Sequence, residues 1–212
     1  MIEPISMASA NWRAVNATIE DALIDGAPAL RVVKGEEKRM RFDENTYARL
    51  ADMDFHNGTI EVSMLSRLLP DAPDFARGFI GIAFRANEGD SEFESFYIRP
   101  TNAMTDDPVR RAHGCQYFSY PGYTFAYFRE YGIRGYEAPI ESGLDEWVRL
   151  KAVIRDDRAE FTLNGAKEPT LVVNSLKHGK DAHGGVGLFV DIGTEGFFKD
   201  LRITQEDRGA VK

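Results

Sequence analysis

The chain has 212 residues, 43% of them hydrophobic and 28% charged, and a chain of this size buries about 70% of its unfolded surface without needing disulfides or structural metal. A formal net charge of −8 gives no support to tracking a phosphate backbone, so nucleic acid is not an expected partner. The single cysteine, Cys115, cannot close an internal bridge, and with scattered histidines it cannot complete a zinc or iron-sulfur site.

Residues 1–12 have neither a basic n-region nor a continuous apolar run, so no signal peptide is visible, which favours the cytoplasm. No apolar run approaches membrane-spanning length, so no membrane partner is expected. Helical periodicity is missing, whereas period-two alternation recurs along the chain. Gly58 to Met64 predicts a strand with Ile60, Val62 and Met64 on one face. Pro70 to Pro73 reads as a loop insertion, followed by strands over Phe79 to Arg85 and Phe96 to Arg99. Thr101 to Pro108 is a second loop insertion, and Tyr120 to Pro139, irregular and rich in Tyr and Gly, is placed to cover a site.

Trp147 to Ile154 and Ala159 to Leu163 read as strands joined by a hairpin over Arg155 to Arg158. Turn signals recur at Asn57-Gly58, Asp156-Asp157, Asn164-Gly165 and Gly184-Gly185. Val186, Leu188 and Val190 mark a further strand, and Phe197, Leu201 and Ile203 a last one, with Lys199 breaking its apolar face. About a dozen short strands without a composition break predict an all-β chain, a single sandwich or barrel over 1–204 with a polar, fraying tail over 205–212. Trp12 and Trp147 are expected as packing residues, with Trp147 at an edge as the alternative.

Strand parity assigns side chains to faces from Phe79 to Tyr120. With Ile80, Ile82, Phe84, Phe96 and Ile98 inward, Arg85, Tyr97 and Arg99 share the opposite face if the two strands are neighbours, and Gly81 and Ala83 leave room beside it. An aromatic ring beside guanidinium groups is what a sugar site needs, a stacking plane with fixed donors for hydroxyls. Asn102, Arg110, Arg111, His113, Gln116, Tyr117 and Tyr120 follow within a short span. The competing reading is an ordinary polar outward face with tyrosines at amphipathic edge positions.

The pieces Phe55-His-Asn-Gly-Thr-Ile-Glu-Val62, Arg77-Gly-Phe-Ile-Gly-Ile-Ala-Phe-Arg85 and Tyr97-Ile-Arg-Pro100 come in order along the chain. They are followed by Trp147-Val-Arg-Leu-Lys-Ala-Val-Ile154, Phe161-Thr-Leu-Asn-Gly165 and Gly184-Gly-Val-Gly-Leu-Phe-Val190. Over about residues 40–204 this order resembles the concanavalin A-like lectin/glucanase superfamily, especially its laminin G-like and 3-keto-disaccharide hydrolase-like domains. The resemblance implies a single jelly-roll β-sandwich of two antiparallel sheets whose concave face, with its edge loops, is the ligand surface. It also leans toward exported glycan-handling proteins, against the cytoplasmic expectation.

The expected function is therefore glycan recognition on the concave face by Arg85, Tyr97, Arg99, Asn102, Arg111, Gln116 and Tyr120, with an oligosaccharide or polysaccharide as partner and a weak preference for an acidic one. The first alternative is a glycoside hydrolase or polysaccharide lyase in the same cleft, with His113 as base, Tyr117 as its partner and an acid from another strand, Glu61, in proton transfer. The two-carboxylate glycosidase motif is absent: Glu88, Asp90, Glu92 and Glu94 have the wrong spacing, and Glu92 and Glu94 are expected in a connecting loop. Alginate-lyase-type jelly rolls use Gln, His, Tyr and Arg, but the order here does not match their motifs. The second alternative is a laminin G-like protein-interaction domain, which would use edge loops and fill the concave face with its own side chains.

No cofactor is expected. The resemblance brings Ca2+ into view, with Asp52, Asp54 and Asn57, or Asp191 and Glu195, as donors; solvated acids at strand ends are the commoner reading. His178 and His183 have no metal-ligand spacing. Cys115 reads as a small buried hydrophobe, and Ser119 and Ser142 lack a nucleophile-elbow context.

Overall fold

The computed structural model describes residues 3–206. In chain order the strands are β1 (Trp12–Val15), β2 (Ala17–Ile24), β3 (Ala27–Lys34), β4 (Tyr47–Leu50), β5 (Gly58–Leu68), β6 (Ile80–Ala86) and β7 (Phe93–Ile98). After two short helices, α1 (Pro100–Ala103) and α2 (Pro108–Ala112), come β8 (Cys115–Tyr120), helix α3 (Phe125–Glu130) and β9 (Glu137–Ala138). The chain continues with β10 (Trp147–Arg155), β11 (Arg158–Leu163), β12 (Leu171–Val173), β13 (Gly185–Val190) and β14 (Thr194–Gln205).

These strands form two seven-stranded antiparallel sheets, a front sheet in the order β1-β4-β13-β6-β7-β8-β9 and a back sheet in the order β12-β11-β10-β5-β14-β3-β2. The chain is all-β, as the alternation predicted, and its sandwich of two antiparallel sheets is what the resemblance implied. The Arg155 to Arg158 hairpin is present, with Asp156 at positive φ in its two-residue turn. The β2–β3 hairpin is an addition to the strands read from sequence; its turn, Asp25-Gly26, has both residues at positive φ. Gln205, assigned to the tail, still pairs with Gly58, and the Glu206 amide donates to the Asn57 carbonyl, while residues 207–212 of the expected tail lie outside the described residues.

The two sheets differ in how many faces they bury. In the back sheet β10 alternates strictly, its Val148, Leu150, Ala152 and Ile154 buried and Arg149, Lys151 and Arg155 exposed. Every residue of β6, β7 and β13 in the front sheet is buried. One face of this sheet, with Ile80, Ile82, Phe84, Phe96 and Ile98, packs on the back sheet, where Phe96 stacks on Phe161 with centroids 4.2 Å apart. Its other face carries a second apolar cluster of Tyr47, Phe79, Phe93, Tyr97, Phe118 and Phe189. The segment between β3 and β4 lies over that outer face, contributing Phe42 and the buried Asp43.

Trp12 is buried in the inter-sheet core and its Nε1 donates to the Ser6 carbonyl at 3.3 Å. Trp147 lies half-buried on the outer face of the back sheet, with the Lys199 ammonium 4.2 Å from its ring centroid. The expected break at Lys199 coincides with a register shift of β14 between Lys199 and Arg202, with Asp200 at positive φ.

Candidate functional site

Where β7 runs out into α1, the outer face of the front sheet opens into a cavity of about 460 Å³. Four phenylalanines wall it. Phe42 is central, its ring centroid 5.6 Å from Phe75, 5.8 Å from Phe79 and 5.4 Å from Phe125. Arg77, Arg99, Arg110 and Arg129 converge on the same cavity, with Asn102 and His113 beside them. Pro100 and Pro108 sit at the first positions of α1 and α2, where a missing N–H costs nothing, and the Asp107 side chain caps α2 by accepting from Val109 and Arg110. These two short turns carry Asn102 and Arg110 to the rim.

Arg99 is the fixed element of the site, only 4% exposed. Its guanidinium donates to Glu137 Oε1 at 2.9 Å, the His113 carbonyl at 3.2 Å, the Tyr97 hydroxyl at 3.0 Å and Gln116 Oε1 at 3.2 Å. The same guanidinium lies over the Tyr97 and Phe125 rings. Glu137 also accepts from Arg129 Nη2 at 2.7 Å, and its other oxygen is 2.8 Å from His113 Nδ1, close enough for an ion pair but poorly aligned for a hydrogen bond. Burial alone would raise the Glu137 carboxyl; the Arg129 hydrogen bond and the charges of Arg99, Arg129 and His113 outweigh it and hold the carboxyl below its ordinary value.

Arg77 and Arg110 are in a different electrostatic state. Among the described residues the Arg77 side chain donates only to the carbonyls of Asp74 and Ala76, both at 2.8 Å, and that of Arg110 only to the Asn102 side-chain oxygen at 3.4 Å. Among the described residues neither forms an ion pair with a carboxylate. Burial, and then the charges of Arg110 and Arg99, lower the pKa of Arg77. The cavity is thus an aromatic-walled pocket with surplus positive charge, whose donors suit a carboxylate or another oxyanion.

Beneath it, Asp43 accepts from the Tyr97 hydroxyl and from the Phe125 amide, each at 2.9 Å, and so anchors the start of α3. The Asp43 amide donates to Asp191, which pairs with the buried Lys34. Burial, and next the Asp191 charge, push the Asp43 carboxyl up to about 6.

Of the residues singled out in the sequence, the fold brings Arg99, Asn102, Arg110 and His113 together at this cavity. Tyr97 and Gln116 share its face but are fully buried under Arg99, where they hold the guanidinium and present no surface to a ligand. The room expected beside Gly81 is taken by β7: a Cβ there would stand 1.9 Å from the Phe96 carbonyl oxygen, and Ala83 is covered by the aromatic cluster. Tyr120 stacks on Phe93 and reaches Glu44, away from the cavity, while Arg111 lines a separate depression with Ile140 and Asn164.

Four expectations about the placement of side chains are corrected. Arg85 does not share a face with Tyr97, because the β6–β13 register shifts and Arg85 adopts positive φ, turning its side chain to Asn57 and the carbonyls of His56 and Gly179. Tyr117 has the parity of the inter-sheet face, where its hydroxyl donates to Glu94 and accepts from the Lys177 amide. Burial foremost, then Glu94, raises that phenol well above its ordinary value. Glu94 lies inside β7 and fully buried, not in a connecting loop, and accepts from the His178 amide at 2.9 Å. Glu61 pairs in register with Lys151 and Arg202 on the back sheet, so His113, Tyr117 and Glu61 occupy three different surfaces.

Several of the residues named for Ca2+ are held by other partners. Asp191 is engaged by the Lys34 ammonium and two backbone amides, Glu195 pairs with Arg31, and Asp54 lies 2.7 Å from His183 Nδ1. Among the described residues no group of three or more His, Cys, Asp or Glu is arranged to hold a metal. No described helix is long and apolar enough to cross a membrane. Cys115 is fully buried, and burial pushes its thiol up to about 12, which leaves it unreactive.

Phe42, Phe75, Phe79, Arg77, Phe125, Arg129 and Glu137 complete the site and carried no site role in the sequence reading. Arg77 and Phe79 sit in the resemblance string, and Phe125, Arg129 and Glu137 fall in the irregular 120–139 segment expected to cover a site; their chemistry becomes visible only when these segments meet.

No protein-family profile matches the sequence, and no curated protein does. Solved structures do. The carbohydrate-binding module CBM66 from Bacillus subtilis is 15% identical over 92% of this chain and 94% of its own, with a TM-score of 0.59. A protein of unknown function with a galectin-like fold from Bacillus subtilis is 14% identical over 93% and 90%, with a TM-score of 0.53. A putative glycosyl hydrolase from Parabacteroides distasonis is 14% identical over 93% and 89%, with a TM-score of 0.51. At such identities the likeness is one of fold.

Proposed function

We propose that this chain is a carbohydrate-binding β-sandwich that takes an acidic sugar into the arginine-lined cavity at the end of its front sheet. The observation that carries this reading is the pair Arg77 and Arg110, two guanidinium groups without carboxylate partners among the described residues, in a pocket walled by phenylalanines. Aromatic faces suit the C–H faces of a pyranose, and planar donors suit its carboxylate. The presence of a carbohydrate-binding module and a putative glycosyl hydrolase among proteins of this fold supports the same class of ligand.

Binding is favoured over catalysis because the proton-transfer groups do not converge. Glu137 is committed to Arg99 and Arg129, and Tyr117 holds its proton against Glu94 in the core. A second reading, a protein-interaction domain working through edge loops, is favoured by the filled centre of the outer face.

Calorimetry and thermal shift against uronic-acid and neutral oligosaccharides separate the two. The sugar reading expects binding of the acidic set, weakened about tenfold or more by Arg77→Ala or Arg110→Ala, since a hydrogen bond to a charged group contributes about 1.5–3 kcal/mol. Silence across the panel, with the protein folded, rejects it in favour of the interaction domain.

A further inference from the structure

A second cavity, of about 540 Å³, lies on the far side of His113 and Arg129, which line both. Each cavity separately is within the size range of small-ligand sites, about 300–1,000 Å³. The second is floored by Phe128 and Tyr136, stacked at 4.2 Å, and rimmed by Ile133 and Arg134 from the loop between α3 and β9. Arg134 is exposed and, among the described residues, forms no ion pair, whereas the one carboxylate lining this cavity, Glu137, is engaged by Arg99, Arg129 and His113. The groove thus repeats one arrangement twice, an apolar wall with an uncompensated guanidinium, on either side of the His113–Arg129 ridge.

Resting on the acidic-sugar reading of the first cavity, we infer that the two cavities are adjacent subsites for successive acidic units of one glycan. The ligand class is an oligosaccharide of at least two units carrying a carboxylate on each, with the linkage crossing the His113–Arg129 ridge. Arg77 and Arg110 receive the first carboxylate and Arg134 the second. A single charged unit fills only half of this groove, so affinity depends on chain length as well as on charge.

The test is calorimetric titration with galacturonate, glucuronate and mannuronate monomers and their homo-oligomers of two and three units, against the unmodified chain and Arg134→Ala. The expected result is about tenfold or more tighter binding of the dimer than of its monomer, little further gain for the trimer, and collapse of the dimer-to-monomer ratio to below about threefold in Arg134→Ala. Equal affinities for monomer and dimer, or an unchanged ratio in Arg134→Ala, overturn the second subsite while leaving the first standing. Absence of binding at every length overturns the acidic-sugar reading and the inference with it. Arg134 is exposed on a loop, so the melting temperature of the variant is expected to match the parent and separates lost contacts from lost fold.

Discussion

Two carboxylates near the cavity respond to pH in opposite directions. Glu137 is held below its ordinary value, so its contribution to stability is present above the usual glutamate range and is lost as pH falls through the lowered folded value. Removing it by Glu137→Ala strands the buried Arg99 guanidinium and is expected to cost about 3 kcal/mol near pH 7, measured by urea denaturation, with the deficit shrinking toward acid pH. Asp43, raised to about 6, stabilises most below the ordinary aspartate range, and that contribution is lost as pH rises through about 6. A carbonyl-detected NMR titration is expected to place its midpoint near 6; a midpoint in the ordinary aspartate range would mean that the burial of Asp43, and with it the Asp191 proximity, is relieved in solution. None of this was legible beforehand, since Asp43 and Asp191 are 148 positions apart and Glu137 lay in a segment without a period.

At the scale of elements, alternation located the long strands but misassigned side chains where a strand departs from regular pleating or two backbones approach closely. Ile80, Ile82, Phe84, Phe96 and Ile98 point where parity put them, whereas the irregularity at Arg85 reverses the residue that follows Phe84. Parity also separates Gln116 from Tyr117, two neighbours grouped only by their density in sequence. Gly81 reads as a gap in the sequence and serves as a contact in the fold. A methyl at that position meets the Phe96 carbonyl at 1.9 Å and the Tyr97 Cα at 2.6 Å, backbone atoms without a rotamer to yield. Gly81→Ala is therefore expected to destabilise by about 3 kcal/mol through strain in the β6–β7 pairing, read from the urea midpoint at unchanged m-value. A change within about 0.5 kcal/mol would show that the strands can part at no cost.

For the whole molecule, the net charge of −8 and the cationic cavity act at different ranges. The global charge repels a polyanion from a distance, and the guanidinium groups act on contact. Raising ionic strength from about 0.01 to 0.15 M shortens the screening length from about 30 to 8 Å, which removes the long-range repulsion first. The association rate of an acidic oligosaccharide is accordingly expected to rise over that range, the reverse of a basic protein meeting a polyanion, and surface plasmon resonance reads it directly. A rate that falls from the lowest salt onward would show that the cavity's field dominates at a distance.

The sequence by itself determined that the chain is all-β, because the apolar alternation that buries one face of each strand is local and survives without a partner. It also determined the concentration of arginine, asparagine and histidine between Arg99 and His113, which the short α1 and α2 turns deliver to one rim. Only the tertiary structure decided that the front sheet is covered on both faces, which closed the middle of the expected binding surface and moved the opening to its end. Tertiary structure also decided which charges cancel. Glu137 reaches Arg99 from 38 positions away and Arg129 from eight, while Arg77 and Arg110 are left without a carboxylate among the described residues, and compensation of charge is a property of distance in space that no spacing along the chain encodes.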